Sequence, residues 1–306
     1  MESITELADW QYRIEHLFAS NATTGPTQGG GALNHASSAT NMTLTHCTIA
    51  GNSSVGSDGG GGIRVRGPEF TMQNCIVAGN TLTGTGTGAD VNTTVNVALG
   101  GANIIRTKAG AGIYTGSGTN STADPLLAPL NNYGGPTQIM ALLPASPASP
   151  ARNAATVLAP AITSDQRGFT IIGTPDIGAY EAGTFTNYNA WIYETLPAAA
   201  TAPQHDSTFD YDNDGQTNEA EWLALTDPTS ATSYFRVTQT AHSGNNFSVT
   251  FPTAVGRTYQ LQSSPNLANP WANVGTATAG TGSNVILPVN VTGQPKHFFR
   301  VAVGVP

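Results

Sequence analysis

Short runs of alternating apolar and polar residues, broken by glycine, fill the chain from Asn21 to about Asn120. In Ile63-Arg64-Val65-Arg66 the apolar side chains share one face and the arginines the other, the period-two signature of a strand with one buried side. The runs also repeat. Gly29-Gly30-Gly31-Ala32-Leu33-Asn34 followed by Met42-Thr43-Leu44-Thr45-His46-Cys47-Thr48-Ile49-Ala50-Gly51-Asn52 is matched by Gly60-Gly61-Gly62-Ile63-Arg64-Val65 followed by Phe70-Thr71-Met72-Gln73-Asn74-Cys75-Ile76-Val77-Ala78-Gly79-Asn80, with Cys47 and Cys75 28 residues apart in one register. A fixed period built from short strands with glycine corners predicts a stacked solenoid, with one coil of a right-handed parallel β-helix per copy. Asp90-Val91, Val95-Asn96-Val97 and Asn103-Ile104-Ile105 predict a further, less regular coil.

The pattern changes at both ends. Ser3-Ile4-Thr5-Glu6 has the form of a capping box, and Leu7, Trp10, Ile14, Leu17 and Phe18 follow at helical spacing, which predicts an amphipathic helix from about Ile4 to Ala19. Such a helix, within 1–20, would plug the open end of a β-helix spanning 21–185. Tyr188, Trp191, Ile192 and Leu196 predict a short helix. Further on, Phe247, Val249 and Phe251 alternate, as do Tyr259 and Leu261, and Phe299, Val301 and Val303. With turn signals at Ser243-Gly244-Asn245-Asn246 and Ala279-Gly280-Thr281-Gly282, these runs predict a β-sandwich over 231–306. The expected fold class is mainly β: a right-handed parallel β-helix with an N-terminal helical cap, an EF-hand-like calcium linker over 186–230, and a C-terminal β-sandwich.

The linker carries the sharpest chemical signal. Asp210-Tyr211-Asp212-Asn213-Asp214-Gly215-Gln216-Thr217-Asn218-Glu219-Ala220-Glu221 follows the EF-hand loop at each diagnostic place. Asp210, Asp212 and Asp214 stand first, third and fifth; Gly215 permits the sharp turn; Gln216 offers its carbonyl; Asn218 stands ninth; Glu221 is the closing bidentate ligand. Calcium takes six to eight hard oxygen ligands, and four carboxylates this close repel one another without a cation. Only one such loop is present and a short helix, about Asn218 to Leu225, follows it, so a stiff structural junction is expected rather than a sensor.

Composition narrows the setting. Charged residues make up 10% of the 306 residues, against roughly 25% in an average soluble domain, and Gly, Thr, Asn, Ser and Ala replace them. A hydroxyl- and amide-rich surface of this kind points to a secreted or cell-surface protein. Eleven basic residues and a net charge of -8 exclude a nucleic-acid partner. No apolar run is long enough to span a bilayer, and Glu2, Glu6, Asp9, Arg13 and Glu15 interrupt any apolar signal core near the start. Cys47 and Cys75 are expected as stacked buried thiols, with a disulfide as the alternative.

From Asp124 the text becomes proline-rich: Asp124-Pro125-Leu126-Leu127, Leu130-Asn131-Asn132-Tyr133-Gly134-Gly135-Pro136-Thr137, Leu142-Leu143-Pro144-Ala145-Ser146-Pro147-Ala148, Asp165-Gln166-Arg167-Gly168 and Asp176-Ile177-Gly178-Ala179-Tyr180-Glu181. In that order, after the glycine-cornered coils, these phrases resemble the choice-of-anchor Q domain family of bacterial surface proteins, related in pattern to the polymorphic outer-membrane protein repeats. The resemblance covers about Gly29 to Glu181 and implies a β-helix with no established active site. The family's members are usually longer, which implies the terminal coils of a larger solenoid. The acidic loop, ending at Thr226-Asp227-Pro228, resembles dockerin-like and thrombospondin type-3-like calcium linkers of exported bacterial proteins. Tyr259-Gln260-Leu261-Gln262-Ser263-Ser264, Asn266-Leu267 and Pro270-Trp271 resemble the β-modules that follow such linkers.

These readings favour a non-catalytic structural or adhesive protein with a calcium site, a polysaccharide or cell-surface glycan as candidate partner, and self-association as a rival. The alternatives are a polysaccharide lyase or glycoside hydrolase on the β-helix, and a self-assembling extracellular subunit. A hydrolase needs two facing carboxylates, whereas Asp58, Glu69, Asp90, Asp124, Asp165, Asp176 and Glu181 are thinly spread, and no catalytic residue is assigned. Arg64 and Arg66 are expected as a solvated outward pair, Trp271 as a core residue with sugar stacking as its alternative, and Asp165, Arg167, Asp176 and Glu181 as an ion-pair group closing the last coil.

Overall fold

The computed structural model describes residues 16–36, 41–144, 148–267, 270–293 and 297–305, and its chain divides into two compact units, Met1–Ala198 and Ala199–Pro306. The predicted N-terminal helix lies outside the described residues up to position 15. Its last turn is strand instead: β1 (Leu17–Ala19) pairs in parallel with Thr48–Ala50. The open ladder of a sheet edge offers these residues hydrogen bonds, and Leu17 and Phe18 pack equally well from a strand.

A partial coil holds β1 and β2 (Ala22–Thr23). The next holds β3 (Leu33–His35), β4 (Met42–Thr45), β5 (Thr48–Ala50) and β6 (Ser53–Ser54). It is followed by β7 (Ile63–Val65), β8 (Phe70–Gln73), β9 (Ile76–Ala78) and β10 (Thr81–Leu82), then by β11 (Val91–Thr93), β12 (Val97–Gly100) and β13 (Ala102–Ile105). A last, shortened coil holds β14 (Lys108–Ala109), β15 (Tyr114–Thr115) and β16 (Thr119–Ser121). Like strands stack into parallel sheets, β1-β5-β9-β13-β16, β2-β6-β10, β3-β7-β11-β14 and β4-β8-β12-β15. This is a parallel β-solenoid of about three turns. Inside it, Ile49, Val77 and Ile105 stack in one column, and Ile63, Val65, Phe70, Met72 and Leu99 fill the same core. Gly31 and Gly61 sit where an added Cβ would meet a backbone carbonyl of the next coil, that of Gly61 at 2.2 Å and that of Ala89 at 2.5 Å, so the corners admit nothing larger.

Side-chain amides link the coils at one corner. Asn21 donates its backbone N–H and side-chain Nδ2 to Asn52 Oδ1. Asn52 donates in the same way to Asn80 Oδ1 at 3.0 and 2.9 Å, 28 positions on. Asn80 donates both groups to Asp90 Oδ1. All of these bonds run one way, so the ladder must end on an acceptor. Asp90 meets that need: its other oxygen accepts from Thr107 N–H and Oγ1 at 3.0 and 2.8 Å, 17 positions on, where the coil shortens. The thiols of Cys47 and Cys75 are unbridged, buried and hydrogen-bonded to each other.

The solenoid strands end at Ser121, well before position 185. Among the described residues, the remaining chain of this unit does not form another coil. Part of it lies on the outer face of the β5-β9-β13 sheet, where Ile76, Ala78 and Ile104 join Ala128, Tyr133, Ile139, Leu142, Ile177, Tyr180 and Ala190 in a second core. Ala179 N–H reaches Thr48 Oγ1, Gly178 N–H the Asn74 carbonyl, and Asp176 accepts on its carbonyl from His46 Nδ1. Helix α1 (Tyr188–Thr195) follows, N-capped by Asn187.

Arg167 locks this cover. Its Nε donates to Asp165 Oδ2 at 2.7 Å, Nη1 to the Tyr133 and Thr184 carbonyls, and Nη2 to the Glu181 carbonyl. The guanidinium also lies 3.8 Å from the centre of the Tyr180 ring. Asp165 also accepts from the N–H groups of Arg167, Phe169 and Glu181, and Glu181 accepts from those of Ile172 and Asp176. All four residues are buried, but only Asp165 and Arg167 form an ion pair; Asp176 and Glu181 spend their carboxylates on backbone N–H groups instead, and the group lies on the flank of the solenoid rather than closing its last coil.

In the second unit, a 3-10 turn (Ala202–His205) and α2 (Asn218–Ala224) flank the acidic loop. Two antiparallel sheets follow. One is β17 (Gln239–Ser243), β18 (Asn246–Pro252) and β22 (Asn284–Asn290). The other has β19 (Thr258–Ser264) paired with β20 (Ala272–Asn273), β21 (Thr278–Ala279) and β23 (Phe298–Gly304). Val249, Phe251, Tyr259, Leu261 and Val289 form their common core.

Asp90→Asn, although isosteric, turns an amide donor toward other donors and is expected to cost about 1–3 kcal/mol, read as a lower urea midpoint of the first unit. Arg167→Ala strands Asp165 in the cover and is expected to cost about 3–5 kcal/mol. Arg167→Lys leaves most of that loss in place, because one ammonium cannot reach acceptors on all four segments.

Candidate metal centre

The acidic loop folds on itself through its own carboxylates. Asp210 accepts from the N–H groups of Asn213 at 2.8 Å and Gly215 at 2.9 Å. Asp212 Oδ1 accepts from Asp214 N–H, and Asp214 Oδ1 from Gln216 N–H. Asn213 and Gly215 take the left-handed backbone, φ 63° and 96°, which brings successive aspartates to one side. Oxygens of Asp210, Asp212 and Asp214 lie within 4.8 Å of one another.

Helix α2 supplies the rest. Thr217 caps it through Ala220 N–H, and its acidic residue Glu221 is fully buried. Thr226 Oγ1 holds Glu221 Oε1 at 3.3 Å, leaving Oε2 buried without a partner. Asp212 Oδ2, Asp214 Oδ2 and Asn218 Oδ1 are buried without a partner as well. An unsatisfied buried polar atom costs about 1–3 kcal/mol, more when charged, and four within one loop define a demand for positive charge. The titration of Glu221 reflects it: burial, and then the charges of Asp212 and Asp214, push it up to about 8. Burial also raises Asp212. Hard anionic and amide oxygens from Asp212, Asp214, Asn218 and Glu221, with Asp210 beside them, are suited to holding a hard divalent cation.

Two predicted ligands also hold the loop in place. Asn218 donates both amide hydrogens, to the Gln204 and Asp206 carbonyls, which leaves its oxygen for the cluster. Gln216 uses its side chain on the Phe235 carbonyl at 2.8 Å, so what it can offer at its loop position is the backbone carbonyl. The sequence carried no sign of a further clamp. Arg257 Nε and Nη2 donate to the Leu223 and Trp222 carbonyls at the end of α2, and its guanidinium lies 4.6 Å from the centre of the Trp222 ring. Phe235, beyond the Gln216 bond, packs against Phe251 and Tyr259. The loop is thereby fastened to the β-module at its middle, through Gln216, and just beyond its closing end, through Trp222 and Leu223.

Elsewhere the polar residues singled out from sequence are engaged. Arg64 is buried, not solvated, and gives Nη1 to Asn92 Oδ1; Arg66 is at the surface, paired with Asp58 at 3.2 Å. The outward face of β7 is covered at Arg64 by the neighbouring coil, which strand alternation alone does not reveal. Asp124 pairs with Arg106 at 3.4 Å. Trp271 is half-buried and lies outside the core of the β-module.

Comparison with family models, with curated proteins and with solved structures finds no match to this chain. No helix among the described residues is long and apolar enough to cross a membrane.

Gly215→Ala places a Cβ on a left-handed backbone with open space around it, so only conformational strain is added. In chelator it is expected to lower the stability of the second unit by about 1–2 kcal/mol, measured by denaturant titration, while Asn213→Gly is close to neutral.

Proposed function

We propose that this chain is a non-catalytic structural and adhesive protein of the bacterial cell surface or surroundings, with a structural calcium ion in the Asp210–Glu221 loop. The observation that carries the calcium reading is the set of four buried, unpartnered oxygens on Asp212, Asp214, Asn218 and Glu221. Calcium suits them because it accepts flexible all-oxygen shells and takes a bidentate carboxylate such as Glu221 in the closing position. Asp210 and the Gln216 carbonyl complete the set. Bound there, the ion would hold α2 against the carbonyl clamp of Arg257 and so stiffen the β-module, which we read as a small sandwich.

The adhesive reading rests on how the solenoid spends its polar residues. Asp90, Asp165, Asp176 and Glu181 each satisfy backbone N–H groups, and Asp58 and Asp124 sit in surface ion pairs. Acids used in this way build the fold instead of facing a substrate. What the low-charge surface offers outward is a field of amides and hydroxyls, suited to glycan contact.

Calcium at about 10 mM, against the dissociation constants of about 10⁻⁴–10⁻³ M typical of extracellular modules, is expected to stabilise the second unit by about 1.5–3 kcal/mol. A calorimetric scan with and without chelator reads this, and Asp212→Asn combined with Glu221→Gln removes it. An unchanged scan for the wild-type chain overturns the calcium site. Incubation with plant and algal polysaccharides tests the rest: retention without new chain ends supports adhesion, and new chain ends overturn the non-catalytic assignment.

A further inference from the structure

The outer face of the second sheet in the β-module carries a row that neither the core nor the metal loop uses. Leu261, Phe299 and Val301 point into the core, so Gln262 and Arg300, their neighbours along β19 and β23, point the other way. Gln262 stands opposite both Arg300 and Asn273. The row is fixed by hydrogen bonds: Arg300 Nε donates to Gln262 Oε1 at 2.8 Å, and Gln262 Nε2 donates to Asn273 Oδ1 at 2.9 Å. Trp271 stands at its end, with the Arg300 guanidinium 4.5 Å from its ring centre.

Three features point to a ligand. Arg300 is exposed and has no acidic partner among the described residues, whose ion pairs lie at Arg66, Arg106, Arg152 and Arg167. Its Nε is occupied by Gln262, so the end-on pair Nη1 and Nη2 remains, a planar fork that matches the two oxygens of a carboxylate. Packing of the ring and the bond to Gln262 hold the fork still before any ligand arrives, which reduces the entropy lost on binding. Asn273 keeps its amide hydrogens for hydroxyl oxygens beside the carboxylate, and adjacent strands at about 4.8 Å spacing separate these contacts by the length of a short sugar segment. Ala302 follows Arg300 on this face and leaves the row open along the strand.

We propose that Arg300, Gln262, Asn273 and Trp271 form a binding site for a carboxylated glycan, with Arg300 on a uronate carboxylate. This rests on the glycan-adhesion reading above and adds its location and its charge class. A fixed positive fork on a chain of net charge -8 selects an acidic chain locally while the rest of the surface repels it, so binding depends on this one site and weakens with salt.

The test uses the full chain in affinity electrophoresis through gels holding polygalacturonate, its methyl ester or dextran sulfate, all with chelator so that calcium cannot bridge carboxylates. Polygalacturonate is expected to retard the protein, and the ester and the sulfated polymer to do so at least tenfold less. Arg300→Gln and Trp271→Ala are each expected to weaken retardation at least tenfold, while Arg66→Gln leaves it unchanged. Melting temperatures report folding; if Trp271→Ala lowers its own, Arg300→Gln decides, since that side chain lies outside the core. Wild-type retardation by Arg300→Gln, or equal retardation by the ester or the sulfated polymer, overturns the site. Retention on neutral glycans alone overturns it and leaves adhesion standing, whereas retention on none overturns both.

Discussion

A strand stacked on its own repeat is paired along its length, but the corner between strands has no ladder of its own, and here a carboxamide passed from coil to coil supplies one. Asn52 lies over Asn80 because the coils share a 28-residue register, and the same register sets Cys47 beside Cys75 and Ile49 beside Val77. Slipping one strand by a single residue would turn its inward side chains outward and would also unmake every amide bond in the column. The polar ladder and the apolar columns therefore specify one arrangement. The direction of the amide bonds sets the end: a column of donors pointing one way must finish on an acceptor, and Asp90 suits that place because both its oxygens accept, Oδ1 from Asn80 and Oδ2 from Thr107.

The outer cover depends on the same stack. A sheet with both faces buried needs consecutive apolar residues, and β9 and β13 have them, with Ile76 and Ile104 facing the cover while Val77 and Ile105 face the interior. Once the chain lies across that face, its own turns must be satisfied without a regular ladder. Arg167 does this by donating to one carboxylate and to carbonyls of three further residues. The cover thus rests on the solenoid for area and on one guanidinium for its polar accounting.

Much of this was legible, for identifiable reasons. The coils announce themselves through glycine corners, where backbones approach too closely for a side chain, and through the repeated Ala-Gly-Asn phrase, whose Gly51 and Gly79 take the left-handed backbone. The helix at Tyr188–Thr195 and the strands at Asn246–Pro252, Thr258–Ser264 and Phe298–Gly304 follow their periodicities. Leu17 and Phe18 misled because helical spacing and strand pairing bury them equally well, and the free edge of β5 decided the matter. Arg64 misled because alternation tells which way a side chain points but not what covers it. The cover had a readable signal in Ile76-Val77 and Ile104-Ile105, adjacent apolar pairs that a strand buried on one side does not need. Arg257 had none, since its role is fixed by where α2 ends, a property of tertiary packing.

In the second unit, charge and packing pull in opposite directions, and the fold shows how they are reconciled. Asp212, Asp214 and Glu221 oppose one another, and burial adds to the cost of their charges. A loop left free would spread to relieve this. It is not free: Asn218 is tied to the Gln204 and Asp206 carbonyls, Gln216 to Phe235, and the end of α2 to Arg257. Each tie is neutral on the loop side, so none of them neutralises the carboxylates. The ties hold the acids close without satisfying them, and a divalent cation would be the simplest group able to satisfy all of them at once. Since Phe235 and Arg257 also belong to the β-module, whatever relieves the loop would stabilise the module's core, so the acidic loop is better regarded as a part of that module than as a tether leading to it.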